Sequence, residues 1–180
     1  MLQEKATVMD GEKIRKTLTR ITHEIIEKNR ELDELVIVCI HRGGNAIGEI
    51  IQANIKRIEG VEIPLIYLQT KAYRDDVNKE NLDLTLDVSE SVDGKVVILV
   101  DDVLYTGRTV RAALDALNTL GRPRKVELAV LIDRGHRELP IRADFVGKNV
   151  PTAHKENVDV LIHKDMSGSH VIITERKKNG

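Results

Sequence analysis

The stretch that most constrains this chain is an unbroken apolar run followed at once by two carboxylates. Val96 to Val100 contains no polar residue, and Asp101 and Asp102 come directly after it. Such a run is typical of a strand buried on both faces, as in a parallel sheet covered by helices. Open α/β sheets bind ligands at the carboxyl ends of their strands, so we expect the two acids at a ligand site.

The residues after the two acids have the composition of a phosphate-binding loop. Thr106, Gly107, Arg108 and Thr109 supply hydroxyls, a glycine and a cation, and an apolar-periodic helix follows them. Backbone N–H groups at a helix N-terminus attract anions. A phosphate held there beside two acids indicates a phosphorylated sugar, with the acids holding its hydroxyls or a metal.

An Asp-Asp pair after an apolar strand also occurs in phosphoacceptor receiver domains, where the acids bind magnesium. In those domains the pair lies near the start of the chain and a third Asp ends a later strand. Here the pair lies past the midpoint, and the Thr-Gly-Arg-Thr loop of residues 106–109 favours phosphate binding instead.

Strand and helix patterns alternate along the chain, which predicts an α/β fold with a mainly parallel, twisted sheet flanked by helices. Two further buried-strand candidates, 35–40 and 126–132, also end in glycine-rich or charged loops, 41–44 and 133–137. Because the carboxyl ends of parallel strands meet at one edge, we expect these loops to converge with 101–109 on one site.

A small flap or hood is expected outside the parallel core. Val61 to Leu68 is apolar but contains Pro64, and Asn81 to Val88 alternates leucines with polar residues. Together they predict a hairpin, and the polar segment between them is long enough for a lid. The flap would span about residues 68–90 of a single domain, residues 1–180.

Composition and motif content exclude several classes of protein. A net charge of −1 argues against a chain coated with positive charge, and no apolar stretch is long enough to span a membrane. The sequence has no P-loop, no dinucleotide fingerprint and no zinc-ligand spacing. Its single cysteine, Cys39, lies in an apolar run, so we expect an inert thiol and a cytoplasmic protein.

The first helical pattern carries a local excess of positive charge. It follows Asp10, a good N-cap, and residues 13–30 contain six Lys and Arg against two Glu. From the residues alone, this polar face is equally a solvated helix surface and a surface that binds a polyanion.

Residues 97–109 resemble the thirteen-residue signature that binds 5-phosphoribosyl 1-pyrophosphate (PRPP) in type I phosphoribosyltransferases. More specifically, the chain is similar to the pyrimidine-operon regulator family over residues 19–24, 73–76, 101–112, 133–144 and 146–149. The resemblance extends over about residues 5–155. Members of this family are bifunctional, being both mRNA-binding transcriptional attenuators and uracil phosphoribosyltransferases.

The resemblance implies a residue set for each part of the reaction. Asp101 and Asp102 would hold the ribose hydroxyls, and Arg74 on the flap would be a third catalytic residue. The PRPP-binding residues would be Asp101, Asp102, Val103, Leu104, Tyr105, Thr106, Gly107, Arg108 and Thr109. The pyrophosphate, with Mg²⁺, would lie on the loop His41, Arg42, Gly43 and Gly44. This loop departs from the family's Lys-Thr-Arg-Gly, because its arginine is moved by one position.

The base would be read by Tyr105, Val146 and Lys148, largely through backbone groups of the 144–148 segment. In the related 6-oxopurine enzymes, the position of Tyr105 is an Asp that interacts with the purine ring. A Tyr there fits uracil better than a purine.

For the regulatory function, the resemblance implies that a dimer binds a hairpin of the pyrimidine (pyr) operon leader mRNA, with UMP or UTP as co-regulator. The positions concerned carry basic or hydrogen-bonding side chains, at Thr19, Arg20, His23, His136, Arg137, Arg142 and Lys148. A homodimer is expected, with a tetramer or a hexamer as larger alternatives. On this basis, Arg20→Ala or Arg137→Ala would weaken RNA binding and leave transfer nearly intact.

Two alternatives stay open. One is an RNA-binding regulator that keeps a nucleotide pocket with little catalysis, and the other is a purine-type phosphoribosyltransferase without an RNA function.

Overall fold

The computed structural model describes residues 2–70 and 91–176. From residue 71 onward the expected flap, including Arg74 and the stretch 81–88, lies outside the described residues. Among the helices of the described part, none is long and apolar enough to cross a membrane.

Within these residues the chain forms three α-helices and eight strands. The helices are α1 (Gly11–Lys28), α2 (Gly43–Glu59) and α3 (Arg108–Leu117). The strands are β1 (Leu2–Asp10), β2 (Leu35–Ile40), β3 (Leu65–Leu68), β4 (Val96–Leu104), β5 (Lys125–Asp133), β6 (Phe145–Asn149), β7 (Glu156–Leu161) and β8 (His170–Arg176).

The central sheet consists of five parallel strands in the order β3-β2-β4-β5-β6. Val38, Leu99 and Leu128 are direct neighbours across β2, β4 and β5. The carboxyl ends of these three strands therefore lie side by side. This arrangement confirms the predicted α/β class and places the predicted loops at one edge.

The apolar run of β4 is unbroken because both faces of the strand are covered. Ile98 and Val100 belong to a core cluster with residues of α1 and α2, including Ile14 and Ile47. Val97 and its alternating neighbours belong to a second cluster, with α3 on the opposite face. Side chains that alternate between two buried faces leave no place for a polar residue.

Helix α1 begins where the sequence predicts it. The Asp10 carboxylate accepts a hydrogen bond from the Lys13 backbone N–H at 2.8 Å, so Asp10 is the N-cap. One side of the helix is apolar, and its side chains, such as Ile14 and Ile21, are buried against the sheet. The charged side of the helix is left facing outward.

A second sheet was not predicted from the sequence. Strands β1, β8 and β7 form an antiparallel sheet in which β8, from the polar tail, is the central strand. Most of β1 is exposed and only Met9 is buried in it. The apolar signal in these strands is too weak to reveal the pairing, which depends on long-range backbone hydrogen bonds.

The prediction of a hairpin outside the parallel core is wrong for its first half, residues 61–68. Strand β3 begins after Pro64, runs parallel to β2 and forms the edge of the central sheet. Proline has no N–H to donate, but its carbonyl oxygen accepts a hydrogen bond from the Ile37 N–H at 2.9 Å. The proline thus limits the length of the strand and not its place in the sheet.

One buried carboxylate fixes α1 to the amino end of β5. Glu127 is 1% exposed, and its oxygens lie 2.7 Å from Lys28 Nζ and 3.2 Å from Lys125 Nζ. Burial alone would raise the pKa of Glu127, but contacts with Lys28, Asn29 and Lys125 outweigh it and hold the pKa below the usual 4.5. The ionised form therefore stabilises the fold.

We expect Glu127→Gln to lower the free energy of unfolding by about 1.5–3 kcal/mol at pH 7, the range for lost hydrogen bonds to a charged group. Because the folded-state pKa is lowered, this stabilisation is present above pH 4.5 and is lost as pH falls through the folded value. Denaturant unfolding at about pH 7 and about pH 3 should show the difference between variant and wild type shrinking in acid.

The matched control is Glu62→Gln, which removes an exposed ion pair with Lys56 at 3.1 Å. Exposed pairs contribute little, so this variant should unfold like the wild type. Equal stability of the two variants at neutral pH would contradict a stabilising role for Glu127.

Candidate active site

Three loops meet at the carboxyl edge of the central sheet, as the sequence predicts. They are residues 41–44 after β2, residues 105–107 after β4 and residues 134–138 after β5. The Glu138 N–H donates a hydrogen bond to the Thr106 carbonyl oxygen at 2.9 Å, which joins the second loop to the third. The first loop packs against β4 through its glycines.

The acid pair belongs to β4 itself, near its carboxyl end, and not to the loop after it. Asp101 is 6% exposed, and its Oδ1 accepts a hydrogen bond from the Asp102 N–H at 2.9 Å. The Val103 N–H donates to Asp102 Oδ1 at 2.7 Å. Burial, and then the neighbouring charge of Asp102, raise the pKa of Asp101 well above its usual value. The pair thus carries one negative charge more readily than two.

The loop of residues 41–44 packs directly against the acid pair. A Cβ added at Gly43 would lie 2.5 Å from the Asp102 carboxylate, and one at Gly44 would lie 2.1 Å from the Val100 carbonyl oxygen. Neither glycine has a positive φ, so space is what requires them. The peptide between His41 and Arg42 is cis, and Arg42 is exposed. His41 Nδ1 lies 3.0 Å from Asn45 Nδ2.

The loop of residues 105–107 leads into the N-terminus of α3. Gly107 has φ 91° and precedes the helix, a backbone conformation that glycine adopts without strain. The Arg108 N–H donates to Thr106 Oγ1 at 3.3 Å, while the Arg108 side chain contacts Glu138 at 3.2 Å. The loop thus presents its backbone, a hydroxyl and a helix N-terminus to an anion.

Tyr105 is held from two sides by arginines of the third loop. The Arg134 guanidinium lies over its ring, 4.0 Å from the centroid, and Arg137 Nη1 donates to its carbonyl oxygen at 2.7 Å. Arg137 also donates to the Ile141 carbonyl oxygen at 2.8 Å and pairs with Asp133. The orientation of Tyr105 therefore depends on both arginines.

Arg134 is a residue of the site that sequence reasoning missed. It is 5% exposed and donates to Thr152 Oγ1 at 3.1 Å and to the Glu156 carbonyl oxygen at 2.6 Å. The sequence shows a charged loop at 133–137 but gives no signal of which charge is buried. Arg137, three residues later, is the same residue type, but it is only half-buried.

The segment predicted to read the base is strand β6, an edge strand of the central sheet. Val146 is half-buried opposite Val130 of β5, and Lys148 is exposed. A Cβ added at Gly147 would lie 2.3 Å from the Leu131 carbonyl oxygen and 2.9 Å from a methyl group of Thr17. Helix α1 therefore approaches β6 closely at this glycine.

The seven residues expected to bind RNA are not equivalent in the structure. Four are exposed, namely Arg20, His23, Arg142 and Lys148, and of these Arg20 also donates to the backbone of β6. The other three are half-buried and have hydrogen-bond partners within the protein. Thr19 donates to the Arg15 carbonyl oxygen, His136 contacts the Thr152 carbonyl oxygen, and Arg137 is bound as described above.

Across residues 2–70 and 91–176, no group of three or more His, Cys, Asp and Glu side chains forms a metal cage. Mg²⁺ usually keeps several waters and binds one or two carboxylates plus substrate phosphates, so it does not need a cage of protein ligands. Asp102, next to Gly43, is placed to provide such a carboxylate.

Comparison with known families covers all three loops. Residues 6–164 match the phosphoribosyl transferase domain. The protein named bifunctional protein PyrR of Pelotomaculum thermopropionicum is 52% identical over 178 residues, covering 97% of this chain and 98% of the relative. A bifunctional protein PyrR of Bacillus cereus is 50% identical over 180 residues, covering 97% of this chain and 100% of the relative. The similarity therefore continues into the tail after residue 155.

Solved structures of more distant proteins share the architecture. A hypoxanthine phosphoribosyltransferase of Staphylococcus aureus matches with a TM-score of 0.66 at 21% identity, covering 82% of this chain and 78% of that chain. A hypoxanthine-guanine phosphoribosyltransferase of Bacillus anthracis matches with a TM-score of 0.65 at 19% identity, covering 84% and 85%. At these identities the likeness shows the fold alone, which is the predicted type I phosphoribosyltransferase fold.

We expect Asp101→Asn to reduce phosphoribosyl transfer by roughly a hundredfold or more, the scale on which loss of one charge-stabilising group acts. The same change should keep or raise stability. Because the folded-state pKa of Asp101 is raised, its stabilising contribution is lost as pH rises through that value, and an amide cannot ionise. Thermal unfolding at pH 7 and a transfer assay measure the two effects.

Asp115→Asn is the control for this variant, because Asp115 is a partly exposed carboxylate on α3 paired with Arg111 at 3.4 Å. It should change neither transfer nor stability appreciably. A clear fall in stability for Asp101→Asn would contradict the unfavourable burial of this acid.

Proposed function

The chain belongs to the bifunctional PyrR family of phosphoribosyltransferases, and on that premise we propose that it forms UMP and pyrophosphate from uracil and PRPP. We further propose that, with UMP or UTP bound, it binds the leader mRNA hairpin of the pyrimidine operon and regulates transcription by attenuation. The observation that carries the enzymatic proposal is the packing of loop 41–44 against Asp102, beside the loop that leads into α3.

The ribose 5-phosphate binds at the end of β4. Asp101 and Asp102 accept hydrogen bonds from the two ribose hydroxyls, and residues 103–109 surround the sugar and its phosphate. The helix N-terminus of α3 and the Thr106 hydroxyl support a phosphate at this position, since both lie at the same end of the loop. Asp102 fits this role best, because it is the more exposed acid of the pair.

The pyrophosphate binds on loop 41–44, where the exposed Arg42 supplies a cation. Mg²⁺ bound with PRPP would neutralise part of the charge of the leaving pyrophosphate. As the C1–O bond breaks and pyrophosphate leaves, C1 becomes oxocarbenium-like, and a uracil ring nitrogen attacks it and loses its proton to the solvent or to the pyrophosphate. The protein contributes positioning, charge stabilisation and exclusion of water. In this proposal Arg74 closes over the site from the flap at about residues 68–90.

Uracil is read by Tyr105, Val146 and Lys148. Support comes from the fixed orientation of Tyr105, which is held by a buried guanidinium on its ring and a hydrogen bond to its carbonyl oxygen. Val146 and Lys148 belong to an edge strand, so part of their backbone is available to hydrogen-bond a base edge. A site whose hydrogen-bonding groups are held in fixed positions discriminates strongly between bases.

RNA binds on an exposed basic surface formed by Arg20, His23, Arg142 and Lys148. Their exposure supports the proposal, because cations that contact phosphates must be accessible. We give Thr19, His136 and Arg137 a smaller part in the contact, because their side chains have hydrogen-bond partners within the protein. Phosphate and base-edge contacts would dominate, since the protein has few aromatic side chains.

The assembly and the location follow from the family. We propose a homodimer, or a tetramer or hexamer built from it, in which each chain is a single phosphoribosyltransferase domain. Its partners are PRPP, uracil, UMP or UTP and RNA, in the cytoplasm. A fully buried, inert Cys39 is compatible with a reducing compartment, and burial raises the pKa of its thiol to about 12.

One specific observation favours a second candidate, a regulator with a nucleotide pocket and little catalysis. The His41-Arg42-Gly43-Gly44 loop departs from the family's Lys-Thr-Arg-Gly, and the Arg42 side chain is exposed. Measuring UMP formation from uracil and PRPP with Mg²⁺ separates the two candidates. Absence of turnover together with UMP-enhanced RNA binding would leave the second, and better turnover of hypoxanthine or guanine would overturn the choice of uracil.

The contacts of Arg137 reverse the expectation that its removal spares transfer. Arg137→Ala leaves the carbonyl oxygens of Tyr105 and Ile141 without their donor. We expect transfer to fall by about ten- to a hundredfold, as small displacements of positioning groups do. Steady-state UMP formation measures this loss.

The matched variant is Arg142→Ala, at an exposed arginine of the same connection. It should keep transfer and weaken RNA binding, with the slope of log affinity against log salt reduced by about 1. If both variants left transfer unchanged, the proposed support of Tyr105 by Arg137 would be refuted.

A further inference from the structure

Arg20 connects the charged face of α1 to the backbone of the base-reading strand. Its Nη2 donates to the Gly147 carbonyl oxygen at 2.7 Å and to the Val146 carbonyl oxygen at 3.2 Å. Its Nη1 lies 2.6 Å from Glu24 Oε1. One guanidinium thus touches the segment proposed to read uracil and an acid on the surface proposed to bind RNA.

The contact between Arg20 and β6 results from the packing of α1 on the central sheet. Gly147 has no room for a side chain between the Leu131 carbonyl oxygen and Thr17 of α1. This close approach brings the backbone of β6 within reach of Arg20, one helical turn after Thr17. The contact therefore joins two regular elements, α1 and β6, and does not depend on a loop.

We propose that Arg20 couples base occupancy of the pocket to RNA binding, by orienting the Val146–Gly147 backbone with one edge and binding an RNA phosphate with the other. The inference rests on the proposed function and deepens it. Arg20 is a positioning residue for the transfer reaction and a direct ligand for RNA. These two roles connect the nucleotide pocket to the RNA-binding surface.

The donors of Arg20 allow both contacts at once. Among the described residues, its Nε–H and one Nη1–H take part in no hydrogen bond, while Nη2 is fully used by the two carbonyl groups. The pair with Glu24 is half-exposed, with side-chain exposures of 47% and 40%, so it is weak. An RNA phosphate can replace the Glu24 carboxylate at Nη1 without breaking the bonds to β6. A planar, forked group is needed for this double role.

Coupling of this kind acts in both directions. A uracil base that orders residues 146–147 also orders the guanidinium, which lowers the cost of fixing it on RNA. By linkage, the factor by which UMP strengthens RNA binding must equal the factor by which RNA strengthens UMP binding. Couplings between two sites typically lie between about five- and 150-fold.

The test measures this factor in the full-length protein, with a labelled leader hairpin of the pyrimidine operon and UMP as the probes. Hairpin affinity is titrated with and without UMP, and UMP affinity with and without hairpin. The variants are Arg20→Gln and Arg20→Lys. The control is Lys16→Gln, one turn earlier on α1, where an exposed lysine pairs with Glu12 at 2.9 Å.

For the wild type and Lys16→Gln, both titrations should give the same factor, about tenfold or more. Arg20→Gln should reduce the factor to about 1 and raise KM for uracil several-fold with little change in kcat. Arg20→Lys should keep more of the RNA affinity than Arg20→Gln, because it keeps the charge, and still lose the coupling, because one ammonium cannot hold both carbonyl groups and a phosphate.

The outcomes separate this inference from the function on which it rests. A wild type whose RNA binding does not respond to UMP overturns this inference and the proposed nucleotide-dependent regulation, and leaves the proposed transfer reaction to its own assay. A wild type that responds, with Arg20 variants that keep the full coupling factor, overturns the role of Arg20 and leaves the proposed function standing. Loss of RNA affinity in Arg20→Gln with an unchanged factor reduces Arg20 to a simple phosphate contact.

Discussion

The close contact between the start of α2 and the end of β4 sets the geometry of the whole site. Two glycines allow it, Gly43 against the Asp102 carboxylate and Gly44 against the Val100 carbonyl oxygen. Any Cβ at either position would push the helix away from the strand. The proposed pyrophosphate loop and the proposed ribose-binding acids are consequently one packed unit. Because α2 is anchored in the core through residues such as Ile47 and Ile51, that unit has the rigidity of the sheet.

The same rigidity explains why an acid is tolerated at Asp101. The strand continues through Leu104 and stays paired with β5 at Asp101 and Val103, so the carboxylates extend from a strand and not from a loop. Functional groups on strands are held more accurately than groups on loops. The same placement raises the pKa of Asp101, because the position that fixes the carboxyl group also removes it from water.

The sequence was sufficient for the central sheet and for the convergence of its loops, and insufficient for the partners of the charged residues. A run such as Val96–Val100 has few alternatives to a doubly covered strand, and parallel topology then determines where the loops lie. The antiparallel sheet escaped prediction because β1 is almost entirely exposed and its pairing with β8 is made by backbone groups. Arg134, Arg137 and Arg142 are identical in the sequence, yet one is buried, one half-buried and one exposed. Composition reports charge, whereas burial is decided by elements distant along the chain.

Through Arg134, residues that are distant along the chain affect the proposed site. Its guanidinium covers the ring of Tyr105 and also bonds to Thr152 and to the Glu156 carbonyl oxygen at the start of β7. The antiparallel sheet is therefore not an independent addition to the domain. Changes around Thr152 would shift Arg134, and with it the ring of Tyr105, which we propose faces the base. If Tyr105 reads the base as proposed, substitutions in this outlying part of the chain would alter which nucleobase the pocket accepts.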